Sequence, residues 1–151
     1  MVTKIIIGSD HGGFKLKESV KKYIEEKGIE IDDYGCSSEE SCDYPDIGLK
    51  VAEVVAEANS DDIRGILVCG TGIGMSMAAN KIKGIRATLC HNEFTAEMSR
   101  KHNNSNILVM GGRVLDEDLA LKIVEIWLNT KFEGERHQKR LDKILKAEGK
   151  E

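Results

Sequence analysis

The segment Cys69-Gly70-Thr71-Gly72-Ile73-Gly74 follows the apolar run Gly65-Ile66-Leu67-Val68 and leads into a helical stretch over 75–81. A thiol there can act as a base or a nucleophile. Glycines beside it let several backbone N–H groups point at one ligand, and the next helix turns its positive end to the same place. That combination suits a phosphate or an enolate-like oxyanion. A free cysteine more often serves packing alone. Cys69 departs from that pattern because it falls at the carboxyl end of a strand, where open α/β sheets bind ligands.

Three further clusters carry reactive side chains. Ser9-Asp10-His11-Gly12-Gly13 follows the first strand, and Asp10 and His11 there can supply an acid, a base or a phosphate donor. Taken alone, the cluster reads better as a helix cap by Ser9 or Asp10 with His11 a surface histidine. His102-Asn103-Asn104-Ser105-Asn106 precedes the fifth strand. An imidazole moves protons near neutral pH, although a histidine and asparagines also suit a helix C-terminus. His102 falls at the entry end of its strand, the wrong edge for Cys69, so it is expected to serve a neighbouring subunit's site. The third cluster is basic: Arg113 after Gly111-Gly112, with Arg136 and Arg140 four apart on the last helix. Two guanidinium groups on one helical face can fork onto a phosphate. The stripe His137, Leu141, Ile144 and Leu145 gives that helix a face to bury, against another chain if not its own.

The elements that must position these residues alternate strictly between strand and helix. Lys-Ile-Ile-Ile-Gly (4–8) reads as a strand buried on both faces. Leu16, Val20, Tyr23, Ile24 and Lys27 keep helical spacing up to a stop at Gly28, and 29–34 reads as a shorter, acidic edge strand. Pro45 fits the first turn of a helix whose stripe is Ile47, Val51, Val54, Val55 and Ala58. Further strands are expected at 65–69, 85–90 and 106–110, and further helices at 75–81, 93–102, after Asp116, and 136–147. The pattern predicts an α/β fold: a doubly wound, Rossmann-like sheet of five parallel strands with helices on both faces, forming a single domain over 1–151.

Composition excludes several classes. With 151 residues, a formal charge of −4 and only 5% aromatic residues, the chain lacks the basic, aromatic surface of a nucleic-acid binder. Its apolar runs are far shorter than the roughly 20 residues that span a bilayer. Four cysteines without a CxxC pair, and an N-terminus without a cleavable apolar leader, point to the cytoplasm and reduced thiols. A redox sensor built on Cys69 has no resolving cysteine close in sequence, leaving Cys90 as a partner in space. Met75 stands where a dinucleotide fingerprint needs its third glycine, and neither Gly-Lys-Ser/Thr nor HExxH occurs. Asp10, His11, His91 and His102 show no metal-ligand spacing, so neither a metal nor a cofactor is expected.

The chain resembles the family of ribose-5-phosphate isomerase B and the related allose- and galactose-6-phosphate isomerases. The likeness rests on Gly8-Ser9-Asp10-His11-Gly12-Gly13, Asp43-Tyr44-Pro45, Cys69 to Gly74, Arg100-Lys101-His102-Asn103, Gly111-Gly112-Arg113 and Arg136-His137-Gln138-Lys139-Arg140, in order. It implies a metal-independent aldose–ketose isomerase working through a cis-enediolate. Cys69 matches the family's base; Met75 stands where some relatives carry a glutamate base. His102 matches the ring-opening acid, with Asp10 assisting, and Thr71 orients the thiol or the substrate oxygen. His11, Tyr44, Gly70, Gly72, Ile73, Gly74, Asn103, Arg113, Arg136 and Arg140 then line the substrate, a phosphorylated pentose. The resemblance also implies a homodimer with shared active sites, or a tetramer of such dimers, whose C-terminal helix reaches the partner. A six-carbon sugar phosphate as substrate, or a non-catalytic sugar-phosphate-binding subunit, are the competing readings.

Overall fold

Three consecutive isoleucines, Ile5-Ile6-Ile7, are buried on alternate sides of the first strand, and that two-sided burial sets the architecture. The computed structural model describes residues 1–149. Its strands are β1 (Lys4–Ser9), β2 (Glu30–Asp33), β3 (Ile63–Cys69), β4 (Ala87–Leu89) and β5 (Ile107–Gly111). The helices are α1 (Phe14–Glu26), α2 (Tyr44–Ala58), α3 (Ile73–Ala79), α4 (Glu93–Lys101), α5 (Glu117–Asn129) and α6 (Arg136–Glu148). All strand pairs are parallel, in the order β2-β1-β3-β5-β4.

Two apolar layers result. Ile5, Ile7, Ile66, Val68, Leu108 and Met110 pack against α1, α4 and α5, with Trp127 fully buried among them. Ile6, Leu67, Cys69, Ile107 and Val109 face α2 and α3 on the other side. Cys69 and Cys90 lie in different layers, so the sheet itself separates the two thiols.

Local chemistry explains the boundaries. Gly28 adopts φ 75° just after α1, as its placement as a stop requires. Pro45 sits in the first turn of α2, and the Asp116 carboxylate accepts from Leu119 N–H at 2.8 Å to cap α5. The fourth strand is shorter than its apolar run. The Asn80 side chain bonds both N–H and C=O of Ala87 at 2.9 Å, and Asn106 Oδ1 takes Arg86 N–H at 2.7 Å, so side chains replace ladder partners at its entry. The helix after Cys69 begins at Ile73, two residues before the expected start, because Gly72 at φ 82° turns the chain directly into it.

Gly13 lies directly over β3: a Cβ there would stand 2.5 Å from the carbonyl carbon of Val68. Backbone cannot yield as a flexible side chain can. Gly13→Ala is expected to cost about 2 kcal/mol or more of stability, read as a lower urea midpoint. An unchanged midpoint would contradict this packing.

Candidate active site

Strands β1, β3 and β5 are adjacent and end together, which brings three loops to one place. Main-chain bonds tie them: Asp10 N–H donates to Val68 O at 3.2 Å, Gly112 N–H to Cys69 O at 2.8 Å, and Arg113 N–H to Gly70 O at 2.9 Å. The Arg113 guanidinium lies across two of the glycines. A Cβ at Gly12 would meet its Cζ at 3.4 Å, and one at Gly70 its Nη1 at 3.4 Å. Beside it His11, Gly12, Lys15, Glu39, Gly112 and Arg113 line a cavity of about 400 Å³. His11, Lys15 and Arg113 make its donor set suited to an anion, with Lys15 paired to Glu39 at 3.3 Å.

Cys69 is 5% exposed, and its Sγ accepts a hydrogen bond from Gly72 N–H at 3.1 Å. Ile73 N–H donates to Thr71 Oγ1 at 3.3 Å. Two of the five N–H groups of the glycine loop are therefore committed inside the protein. Those of Gly70, Thr71 and Gly74 donate to no acceptor among the described residues. The Tyr44 ring lies over Gly74, where a Cβ would come within 2.9 Å of the phenolic oxygen. The tyrosine thus closes the α2 side of the thiol loop.

Asp10 performs the capping role: its carboxylate accepts from Gly13 N–H at 3.1 Å, and it is 8% exposed. His11 Nδ1 accepts from Cys42 N–H at 3.3 Å. With Nδ1 acting as acceptor, the neutral ring carries its proton on Nε2 and can donate from there.

The remaining expected residues lie elsewhere. His102 closes α4, ahead of β5, at the edge where strands enter the sheet. Its ring stacks on His137 of α6, centroids 4.1 Å apart and planes 14° apart. Arg136 and Arg140 are exposed on that same helix, and Asn103 is exposed beside His102. One chain therefore gathers Cys69, Thr71, Asp10, His11, Tyr44 and Arg113 at the exit edge, and His102, Asn103, Arg136 and Arg140 apart from them.

His137 lies in the apolar stripe of α6 and in the segment Arg136-His137-Gln138-Lys139-Arg140, and neither gives it a role at the site. It is buried, and its Nε2 makes no hydrogen bond; Glu133 Oε2 lies 3.7 Å away. Ligand atoms of His102, Glu133 and His137 lie within 4.8 Å of one another. As stacked, the two rings cannot share an ion, because an ion in the plane of one ring lies outside the nearly parallel plane of the other. Leu141 is buried within its own chain, whereas Ile144 and Leu145 remain exposed. A second cavity, about 300 Å³ at the entry edge, is lined by Arg64, Arg86 and Arg100 among others, but by no thiol or imidazole. Those guanidiniums donate to the carbonyls of Trp127, Asn104 and Thr130, which accounts for them structurally.

A profile of the Ribose/Galactose Isomerase family matches residues 5–144. Ribose-5-phosphate isomerase B of Escherichia coli (strain K12) is 46% identical over 145 residues, 96% of this chain and 96% of that protein. Among solved structures, ribose-5-phosphate isomerase B of Clostridium thermocellum superposes with a TM-score of 0.94 at 52% identity, over 97% of this chain and 98% of that one. The Mycoplasma genitalium enzyme, solved with bound ribulose-5-phosphate, gives 0.94 at 42% identity, over 98% and 97%. A parallel sheet with a thiol, glycine N–H groups and an anion cavity at its exit edge fits a sugar-phosphate isomerase. The chain belongs to the Ribose/Galactose Isomerase family.

Burial pushes the His137 imidazole below its ordinary value, helped by His102, Arg136 and Arg140 and opposed by Glu133. Between that lowered value and about 6.5, the unfolded chain binds more protons than the folded one, so stability falls as pH drops through this window. Urea midpoints should decline from about pH 7 to pH 5, and His137→Leu should flatten part of that slope. Identical slopes for both proteins would contradict a buried neutral His137.

Proposed function

We propose that this chain is a homodimeric ribose-5-phosphate isomerase that interconverts D-ribose 5-phosphate and D-ribulose 5-phosphate without a metal. The observation that carries the reading is the division of the site into two halves. A base, oxyanion donors and an anion cavity occupy one sheet edge, while an imidazole and two phosphate-ready arginines sit apart from them. A second copy can bring its own His102, Arg136 and Arg140 to the Cys69 edge, which one chain cannot do alone. Exposed Ile73 and Met77 on α3, Phe94 on α4 and Ile144 and Leu145 on α6 supply apolar surface for such an assembly. A tetramer would pair two such dimers.

The chemistry then runs in two stages. The partner subunit's His102 protonates the furanose ring oxygen while Asp10 accepts the C1 hydroxyl proton, and the sugar opens to its aldehyde. Cys69, as thiolate, removes the C2 proton and leaves a cis-enediolate with its charge on O1. N–H groups of Gly70, Thr71 and Gly74 face that charge. Returning the proton to C1 while the O2 proton moves to O1 yields the ketose. Arg113 and His11, with the partner subunit's Arg136 and Arg140, hold the phosphate, and forked guanidiniums suit its oxygens. Asn103 accompanies His102 to the substrate, and Tyr44 covers the thiol loop.

The names of the E. coli, C. thermocellum and M. genitalium relatives support a five-carbon substrate. Allose 6-phosphate would require the same chemistry with one more carbon of depth. No helix among the described residues is long and apolar enough to cross a membrane, in keeping with our placing the enzyme in the cytoplasm.

The deciding assay follows ribulose 5-phosphate formation from ribose 5-phosphate under excess EDTA, with allose 6-phosphate in parallel. Fast pentose turnover indifferent to EDTA is expected; faster turnover of the hexose, or none of the pentose, would overturn the reading. Cys69→Ala should lower kcat by at least about 10²-fold with substrate binding retained. Near-normal turnover in that variant would rule out the thiol as base. Arg136→Ala and Arg140→Ala should chiefly raise KM, and an unchanged KM in both would remove them from the phosphate site.

A further inference from the structure

We infer that Cys36 and Cys42 form a redox-active dithiol, which a hydroperoxide closes to an intramolecular disulfide on the rim of the Cys69 site. Six residues apart and outside any CxxC motif, the two sulfurs stand 2.7 Å from each other. Both cysteines are free and half-buried, so a small oxidant can reach them. Cys69 and Cys90, by contrast, are buried in separate layers on opposite faces of the sheet.

The backbone holds the pair in place from both ends. The buried Lys17 donates to the Cys36 carbonyl at 2.6 Å while bonding the Asp33 carboxylate at 2.9 and 3.0 Å. Cys36 N–H and Ser9 O are bonded as well, which attaches the loop to the end of β1. On the other side, Cys42 N–H is fixed to His11 Nδ1, and α2 begins two residues later at Tyr44. A disulfide needs the sulfurs at about 2.05 Å, so closure asks for movement of under about 1 Å. Burial, with the Cys36 sulfur beside it, pushes the Cys42 thiol up to about 11. A thiol raised in this way is a poor first nucleophile, which assigns Cys42 the resolving role.

In the balanced step, the Cys36 thiolate attacks one peroxide oxygen, the O–O bond breaks, and the other oxygen leaves as water after taking a proton. Cys36 is then a sulfenic acid. The Cys42 sulfur attacks it, the S–S bond forms, and the second oxygen leaves as water. Two electrons pass from the sulfurs to the peroxide, and the two thiol protons end in the two waters. The loop so closed contains Glu39, which lines the anion cavity with His11 and Arg113. Oxidation thus tightens one wall of that cavity and leaves Cys69 free.

The test treats the reduced full-length protein with one equivalent of hydrogen peroxide, then alkylates the remaining thiols under denaturing conditions and digests with trypsin. Cys36 and Cys42 fall in one peptide, residues 28–50, between Lys27 and Lys50. The expected result is that peptide two hydrogens lighter and unalkylated, Cys69 and Cys90 both alkylated, and full reversal by dithiothreitol. Oxidation of Cys69 ahead of the pair, or oxygen added to peptide 28–50 in place of hydrogen loss, would overturn the inference. In Cys42→Ser the same treatment should stop at a Cys36 sulfenic acid that dimedone traps. Cys36 remaining fully alkylated in that variant would also overturn it.

Discussion

Strand direction constrains everything else in this molecule. Five parallel strands place Ser9, Cys69 and Gly111 at one edge, and their successive loops can bond only to one another there. The same polarity carries the turn after α4, and His102 with it, to the entry edge. A chain folded this way cannot join Cys69 to its own His102 by any local adjustment. The proposed sharing of the site between copies would leave the sheet intact.

Close approach of backbone is the second requirement. Gly12, Gly70 and Gly112 leave room for loop contacts, and the first two for the Arg113 guanidinium. Gly74 does the same for Tyr44. The glycine loop therefore does two things at once: it leaves N–H groups without an acceptor among the described residues and admits the Arg113 and Tyr44 side chains against its backbone. Fewer of its N–H groups are free than its length suggests, because Cys69 Sγ and Thr71 Oγ1 each occupy one.

Much of this was legible from residue order. Strands β1, β3 and β5 read clearly because burial on both faces demands uninterrupted apolar runs, and α2 and α5 read clearly from their stripes and first-turn residues. The entry edge position of His102 followed from its place between α4 and β5. What escaped detection depended on contacts between distant residues. The shortening of β4 comes from the side chains of Asn80 and Asn106, whose sequence context looks like ordinary turns. The stack of His137 on His102 joins residues 35 positions apart on separate helices. Cys36 and Cys42 meet only because Lys17, Ser9 and His11 fix the intervening loop.

The central claim is that each catalytic site combines the two halves from different subunits, and subunit complementation tests it most directly. Cys69→Ala and His102→Ala chains, each inactive alone, would be unfolded together at equal concentration, refolded, and assayed on ribose 5-phosphate. Random pairing makes half the dimers mixed, and each mixed dimer holds one intact site, so the account predicts recovery of roughly a quarter of wild-type activity. A refolded mixture with confirmed mixed dimers and no more activity than its inactive parents would contradict it.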